Sequence, residues 1–361
     1  MKTHHMIILL LVILLGFGAC REITVTTTIH HDGSFTREIL IEGDSSSVFN
    51  MDLPYPVDDS WEAGLVVKEN LTSYQSLFPE WSIAQDTSLE KECLLTYRKT
   101  YTDMALLNRE MDEDTGWRQG LDRDIKIDKH SGIFYTYFTF RESTPSANPF
   151  QNKDIHDYLS ASEIQMLKEA KPADKKGDSL YGIAEEKAFE YLKETIYNEV
   201  TYAMEKDISK LGNPELNAVD LDDYSDSADR KLEDVSFDQL SEFIDFYAEW
   251  TGKQEFLLLK TMEDNSFAQL DSKWGYFLKL LEMEGYTQQV VMPGLLIETN
   301  SKQVVGNLVS WKEEGFPMIL FDHEIFAESR TVNYTGFIIS GIILLALVFL
   351  LSYSAFRSKG N

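Results

Sequence analysis

The stretch ITVTTTIHHDGSFTREILI, residues 23–41, decides how the rest of the chain is read. Ile23 to Ile29 is dense in β-branched residues, Asp32-Gly33 is a turn pair, and Phe35 to Ile41 returns to a strand pattern, so the segment is a β-hairpin. Two runs carry the signal onward. Leu94 to Tyr101 is one; the other is the aromatic alternation Phe134-Tyr135-Thr136-Tyr137-Phe138-Thr139-Phe140, which needs neighbours over one buried face.

From about Ser160 to Tyr286 the period changes from two to three and four. Ile183, Phe189, Leu192, Ile196, Val200, Ala203, Ile208 and Leu211 define one long amphipathic helix. Leu240, Phe243, Ile244, Tyr247 and Trp250 open a second that breaks near Gly252, and Phe267, Leu270, Trp274, Phe277, Leu278 and Leu281 build a third. The acidic segment Asn213 to Asp234, interrupted by Pro214, reads as a solvated loop between the first two. After Tyr286 the β pattern resumes with Gln288 to Met292, a Pro293-Gly294 turn, Leu295 to Glu298, a turn at Asn300-Ser301, Val309-Ser310-Trp311 and Met318 to Ala327. Helices inserted between two β portions that pair across them predict an α+β fold, with a mixed or antiparallel β module and a large helical insertion.

The two ends set the boundaries. Residues 1–19 have the parts of a secretory signal peptide: Lys2, an apolar run from Met6 to Leu15, then Gly16, Gly18 and Ala19 before Cys20. Small residues directly before a cysteine suit lipoprotein processing, which makes Cys20 the candidate lipidation site; Phe17 departs from the usual leucine, and the alternatives are ordinary cleavage or an uncleaved anchor. Gly336 to Tyr353 is uncharged and long enough to span a bilayer, with Tyr334 and Tyr353 at its ends and Arg357 and Lys359 after it. The expected division is signal peptide 1–19, N-terminal β portion 21–150, helical insertion 151–286, C-terminal β portion 287–333, transmembrane helix 334–356 and cytoplasmic tail 357–361. The ectodomain then faces outward from the cytoplasmic (inner) membrane of a bacterium, on the periplasmic side.

Composition narrows the function. Across 361 residues, 43% hydrophobic and 12% aromatic content predicts a folded domain, and a formal charge of −27 argues against nucleic acid, which requires a basic surface. The only cysteines are Cys20 and Cys93, so an acylated Cys20 leaves no intramolecular disulfide, and Cys93, amid Leu94, Leu95 and Tyr97, reads as a buried thiol.

Catalytic and metal signatures are missing. There is no Gly-x-Ser-x-Gly, His-Glu-x-x-His or phosphate-binding glycine loop. His30-His31-Asp32 places adjacent side chains on opposite faces, as a turn-flanking surface pair. Asp220, Asp222, Asp223 and Asp226 fail the calcium-loop pattern, because Tyr224 and Ser225 take the fifth and sixth places and Lys231 stands where a bidentate Glu belongs. Glu186 and Glu190, one turn apart, read as a solvated helix face. No catalytic, metal or cofactor residue is assigned.

Met292-Pro293-Gly294, Thr299-Asn300, Gly306-Asn307, Val309 with Trp311, and Ala327-Glu328-Ser329-Arg330 with Asn333 carry a resemblance. Together with the opening Asp32-Gly33 hairpin, they resemble LppM-type lipoproteins and related, largely uncharacterised Bacteroidetes-type envelope lipoproteins. The resemblance covers about a quarter of the chain. It implies a membrane-anchored β domain outside the cytoplasm and supplies no catalytic residue. The expectation is a non-enzymatic lipoprotein binding an envelope protein or a lipid-like ligand. The alternatives are an envelope enzyme with an unfamiliar site, such as a carboxylate-dependent glycan hydrolase, or a structural spacer.

Overall fold

The computed structural model describes residues 21–44, 47–49, 53–68, 92–114, 118, 121–169, 175–233 and 238–358. The expected signal peptide and Cys20 lie outside them.

Strands β1 (Glu22–Ile29) and β2 (Phe35–Asp44) form the expected hairpin, with Gly33 at φ 99° supplying the turn that other residues adopt only under strain. They are followed by β3 (Glu62–Lys68), β4 (Glu92–Tyr101), helix α1 (Met104–Glu113), β5 (Asp124–Ser131) and β6 (Tyr135–Thr144). Helix α1 interrupts a portion expected to be β throughout; the Asp103 side chain caps it by accepting from Ala105 N.

The helical insertion comprises α2 (Ala161–Lys168), α3 (Lys175–Leu211), α4 (Pro214–Asn217), α5 (Ser225–Glu233), α6 (Phe243–Thr251) and α7 (Phe267–Leu281). The stripe expected for α3 holds from Leu192 to Ile208, whereas Ile183 is exposed. The segment 213–233 is not the loop expected. Asn213 caps α4 with Pro214 in the first turn, where the missing N–H costs nothing, and Asp220 caps a 3-10 turn leading into α5. Leu216, Leu221, Ala228 and Leu232 are its buried face, hidden in the sequence by the acidic residues of the outer face.

The chain then returns as β7 (Tyr286–Val291), β8 (Leu295–Thr299), β9 (Gln303–Val305), β10 (Leu308–Glu313), helix α8 (Gly315–Leu320), β11 (His323–Val332) and helix α9 (Tyr334–Ser358). Met318 to Leu320, expected to start a strand, belongs to α8. There Met318, Ile319 and Leu320 are buried in the helical core, and Gly315 abuts the Leu280 carbonyl so closely that a Cβ would overlap it.

One sheet has the order β3-β4-β2-β1-β7-β10-β9 and the other β5-β6-β11-β8. Both are completed across the insertion, by β1 pairing parallel with β7 and by β6 pairing antiparallel with β11. Apolar residues of both sheets, including Val25, Ile39, Phe138, Phe140, Val290 and Ile325, form one core, and the helices form a second around Phe243, Tyr247, Trp274 and Phe277.

The two ends of the β core differ. At one end β7 passes through Met292, Pro293 and Gly294 into β8, Gly294 abuts the Arg330 backbone, and β11 runs out into α9. At the other end Arg21 pairs with Glu284, His323 meets Glu313, and the helical insertion joins the strands. Arg21 and α9 therefore leave opposite ends, separated by the eight residues of β1, roughly 26 Å at about 3.3 Å per residue.

Candidate functional site

The inward positions of the strands are not all apolar. In β2, Arg37 falls in phase with Phe35, Ile39 and Ile41; in β6, Glu142 falls in phase with Phe138 and Phe140; in β7, Gln288 falls between Tyr286 and Val290. Strand alternation thus sends a guanidinium, a carboxyl and an amide into the core, where loop residues Tyr55 and Arg123 join them.

Tyr55 Oη donates to Glu142 Oε1 at 2.6 Å and lies 3.3 Å from Gln288 Oε1. Arg37 and Arg123 both stack on the Tyr55 ring, with Cζ 4.2 and 4.5 Å from its centroid, and both pair loosely with Glu142, at 3.7 and 3.9 Å. Arg123 also donates to the Pro54 carbonyl at 2.6 Å and to Tyr286 Oη at 3.0 Å, and Arg37 Nε donates to Thr27 Oγ1 at 3.3 Å. Among the described residues, Arg37 Nη1 and Nη2, Arg123 Nε, Glu142 Oε2 and Gln288 Nε2 have no hydrogen-bond partner within the protein. Burial, with Glu142 nearby, raises the Tyr55 phenol well above its ordinary value, so it stays a neutral donor. Burial works against the Arg123 charge, but Tyr286, Tyr55, Glu142 and Glu313 more than offset it and hold the guanidinium above its ordinary range.

This cluster is sealed between the sheets, which prevents its groups from touching a substrate. Glu313 and His323 lie at the end of the β core shared with the helices. Glu313, itself buried, lies 2.9 Å from His323 Nε2. Burial lowers the His323 pKa, yet the Glu313 carboxylate outweighs it and leaves the value raised above 6.5. Both line a small cleft with Lys168, Glu169, Lys312 and Met318. A cleft rimmed by two lysines and several carboxylates suits a mixed-charge polar contact.

The residues weighed in the sequence are dispersed. His30 Nε2 lies 2.9 Å from Thr36 Oγ1, whereas His31 is edge-on to Phe138, and no group of three or more metal-ligating side chains converges among the described residues. Asp220 accepts from Asp222 N at 3.1 Å as a cap, and Glu186 and Glu190 are exposed on α3. Cys93 is buried on β4. Arg37, Glu142 and Gln288 were missed although their phase against apolar neighbours marks them; Tyr55 and Arg123 sit in loops, where no period exists to mark them.

At the other end, the 19-residue segment Tyr334–Ser352 of α9 is long and apolar enough to cross a membrane, and none of it is buried by the rest of the protein. No family model matches the chain, and none of the curated proteins matches it. Among solved structures, the NMR structure of the folded domain of Mycobacterium tuberculosis LppM aligns over 88% of this chain and 94% of that one, with 8% identity and a TM-score of 0.26. That is a distant likeness and no more, and the comparisons contain nothing that speaks for the Bacteroidetes part of the resemblance.

Proposed function

We propose that this chain is a membrane-anchored, extracytoplasmic lipoprotein of a bacterial inner membrane whose ectodomain acts by binding an envelope protein or a lipid-like ligand. The observation that carries the proposal is the Tyr334–Ser352 segment of α9, an uncharged, unburied span of bilayer length with Arg357 beyond it, as the positive-inside rule requires of a cytoplasmic end. The Arg37–Glu142–Arg123 cluster is buried between the sheets and serves the fold, so it offers a site to neither reading. The enzyme alternative keeps one foothold, the Glu313–His323 pair at the cleft, and Glu313→Gln separates the two: loss of a phenotype with folding intact favours catalysis.

A lipid on Cys20 adds a second anchor with a geometric consequence. Since Arg21 and α9 leave opposite ends of the β core, both anchors reach one bilayer only when the strands run along its surface. The test of the binding role is cross-linking in native membranes, purification in mild detergent and mass spectrometry of bound protein and lipid. A stoichiometric partner or an enriched lipid is expected; neither would overturn the binding role.

A further inference from the structure

Hairpin tips facing water are normally polar, yet the tip joining β5 to β6 is Gly132-Ile133-Phe134, with Ile133 68% and Phe134 43% exposed. It sits directly beside the start of α9. Asn333, the residue before the helix, holds it there: its backbone N donates to the Phe134 carbonyl at 2.8 Å, and its side-chain amide donates to the Gly132 carbonyl at 2.8 Å. Its Oδ1 meanwhile accepts from Gly336 N at 3.3 Å, capping the first turn. Gly336 permits the approach, since a Cβ there would overlap the Ile133 carbonyl. The Phe134 and Phe337 rings are 4.9 Å apart, and Phe337 is in turn edge-on to Tyr135.

The same end of the sheet exposes Leu295 at the start of β8 and Val332 at the end of β11. Arg330 stacks on Tyr135 with Cζ 4.7 Å from the ring, an arginine–tyrosine pair suited to the headgroup layer. Ile133, Phe134, Leu295 and Val332 thus gather around the base of a helix whose own apolar surface is uncovered. Water would have to wet all of it; lipid would not.

We infer that this end of the β core is a second membrane contact, with the Ile133–Phe134 tip inserted in the interfacial layer of the bilayer that α9 crosses. The inference rests on α9 being a bilayer span. The short clamp at Asn333 and Gly336 leaves no free linker between domain and membrane, so the tip is carried to the surface wherever α9 inserts, and the cleft at Glu313 and His323 is held at the far end of the strands.

The test is site-specific photocross-linking of the full chain in vesicles of phosphatidylethanolamine and phosphatidylglycerol. The variants are Ile133→benzoylphenylalanine, Leu344→benzoylphenylalanine within α9 and Ile183→benzoylphenylalanine on the helical insertion, all at exposed side chains. Lipid adducts by mass spectrometry at 133 and 344, with a many-fold lower yield at 183, are the expected result. Adducts at 344 alone would overturn the tip contact and leave the span intact; adducts at neither would overturn the span and the tip contact together. Protein–protein adducts at 133 in place of lipid would show that another chain covers the tip, which also overturns the inference.

Discussion

The two cores of this protein are made of different material. Between the sheets, Arg37, Glu142, Gln288 and Glu313 occupy inward strand positions; the helical core is built from Phe243, Tyr247, Phe256, Phe267, Trp274 and Phe277, with Asp207 its conspicuous buried charge. Asp207 is well used, accepting from Ser266 N and Oγ at 2.6 and 2.8 Å and so tying α3 to the start of α7. The helical core leaves only neutral hydroxyls without a hydrogen-bond partner among the described residues, those of Thr201, Tyr247 and Tyr276, whereas the β core leaves atoms of charged groups so, on Arg37, Arg123 and Glu142. A helical interior can be sealed by apolar stripes alone, whereas the sandwich is held in one arrangement by charges that pair only when both sheets are in place.

The largest way to break that contrast is Glu142→Ala. Removing the carboxyl leaves two buried guanidiniums beside the Tyr55 ring without their shared counter-charge, and a loss of about 3–5 kcal/mol is expected in urea unfolding of the detergent-solubilised chain. The triple replacement Arg37→Met/Arg123→Met/Glu142→Met, which removes the whole cluster at similar volume, is expected to cost far less. A triple variant as unstable as Glu142→Ala would show that the cluster stabilises outright and does not simply need to remain complete.

In the helical core the sensitive point is steric. Gly315→Ala forces a Cβ onto the Leu280 carbonyl where α8 meets α7, and about 1–3 kcal/mol is expected by the same measurement. Asp207→Ala removes both bonds to Ser266 and is expected to cost about 0.5–2 kcal/mol, in the range of a lost helix cap.

A smaller effect sits where the two cores meet. The folded pKa of His323 lies above its ordinary value of 6.5, so the Glu313 pair contributes fully below that pH and its contribution fades as pH rises through the folded value. Stability is therefore expected to fall slightly on going from below pH 6.5 toward alkaline pH, and His323→Gln is expected to flatten that part of the profile. Smallest of all, Glu186→Gln and Glu190→Gln on the exposed face of α3 are expected to stay within about 0.5 kcal/mol of the parent.

Much of the frame was legible because side-chain period reports burial directly. The 23–41 hairpin, the 134–140 strand, the core helices and the pairing across the insertion all follow from two-fold and three-to-four-fold spacing. Acidic composition hid Leu216, Leu221, Ala228 and Leu232, which are too sparse for a stripe until the caps at Asn213 and Asp220 fix where each helix begins. Met318 to Leu320 is apolar in any conformation, and only its burial against α7 selects helix over strand. The buried charges are marked by phase alone: Arg37 and Glu142 alternate in step with Phe35, Ile39, Phe138 and Phe140, and a charged side chain at an inward position carries no compositional sign of burial.

The central claim is that α9 crosses the membrane with the two cores outside, and a topology reporter tests it most directly. Alkaline phosphatase, active only outside the cytoplasm, is joined to the chain after Asn333 or after Asn361. Activity after Asn333 and none after Asn361 is the predicted result. Equal activity at both positions would show that α9 does not cross, and inactivity at both would put the ectodomain in the cytoplasm.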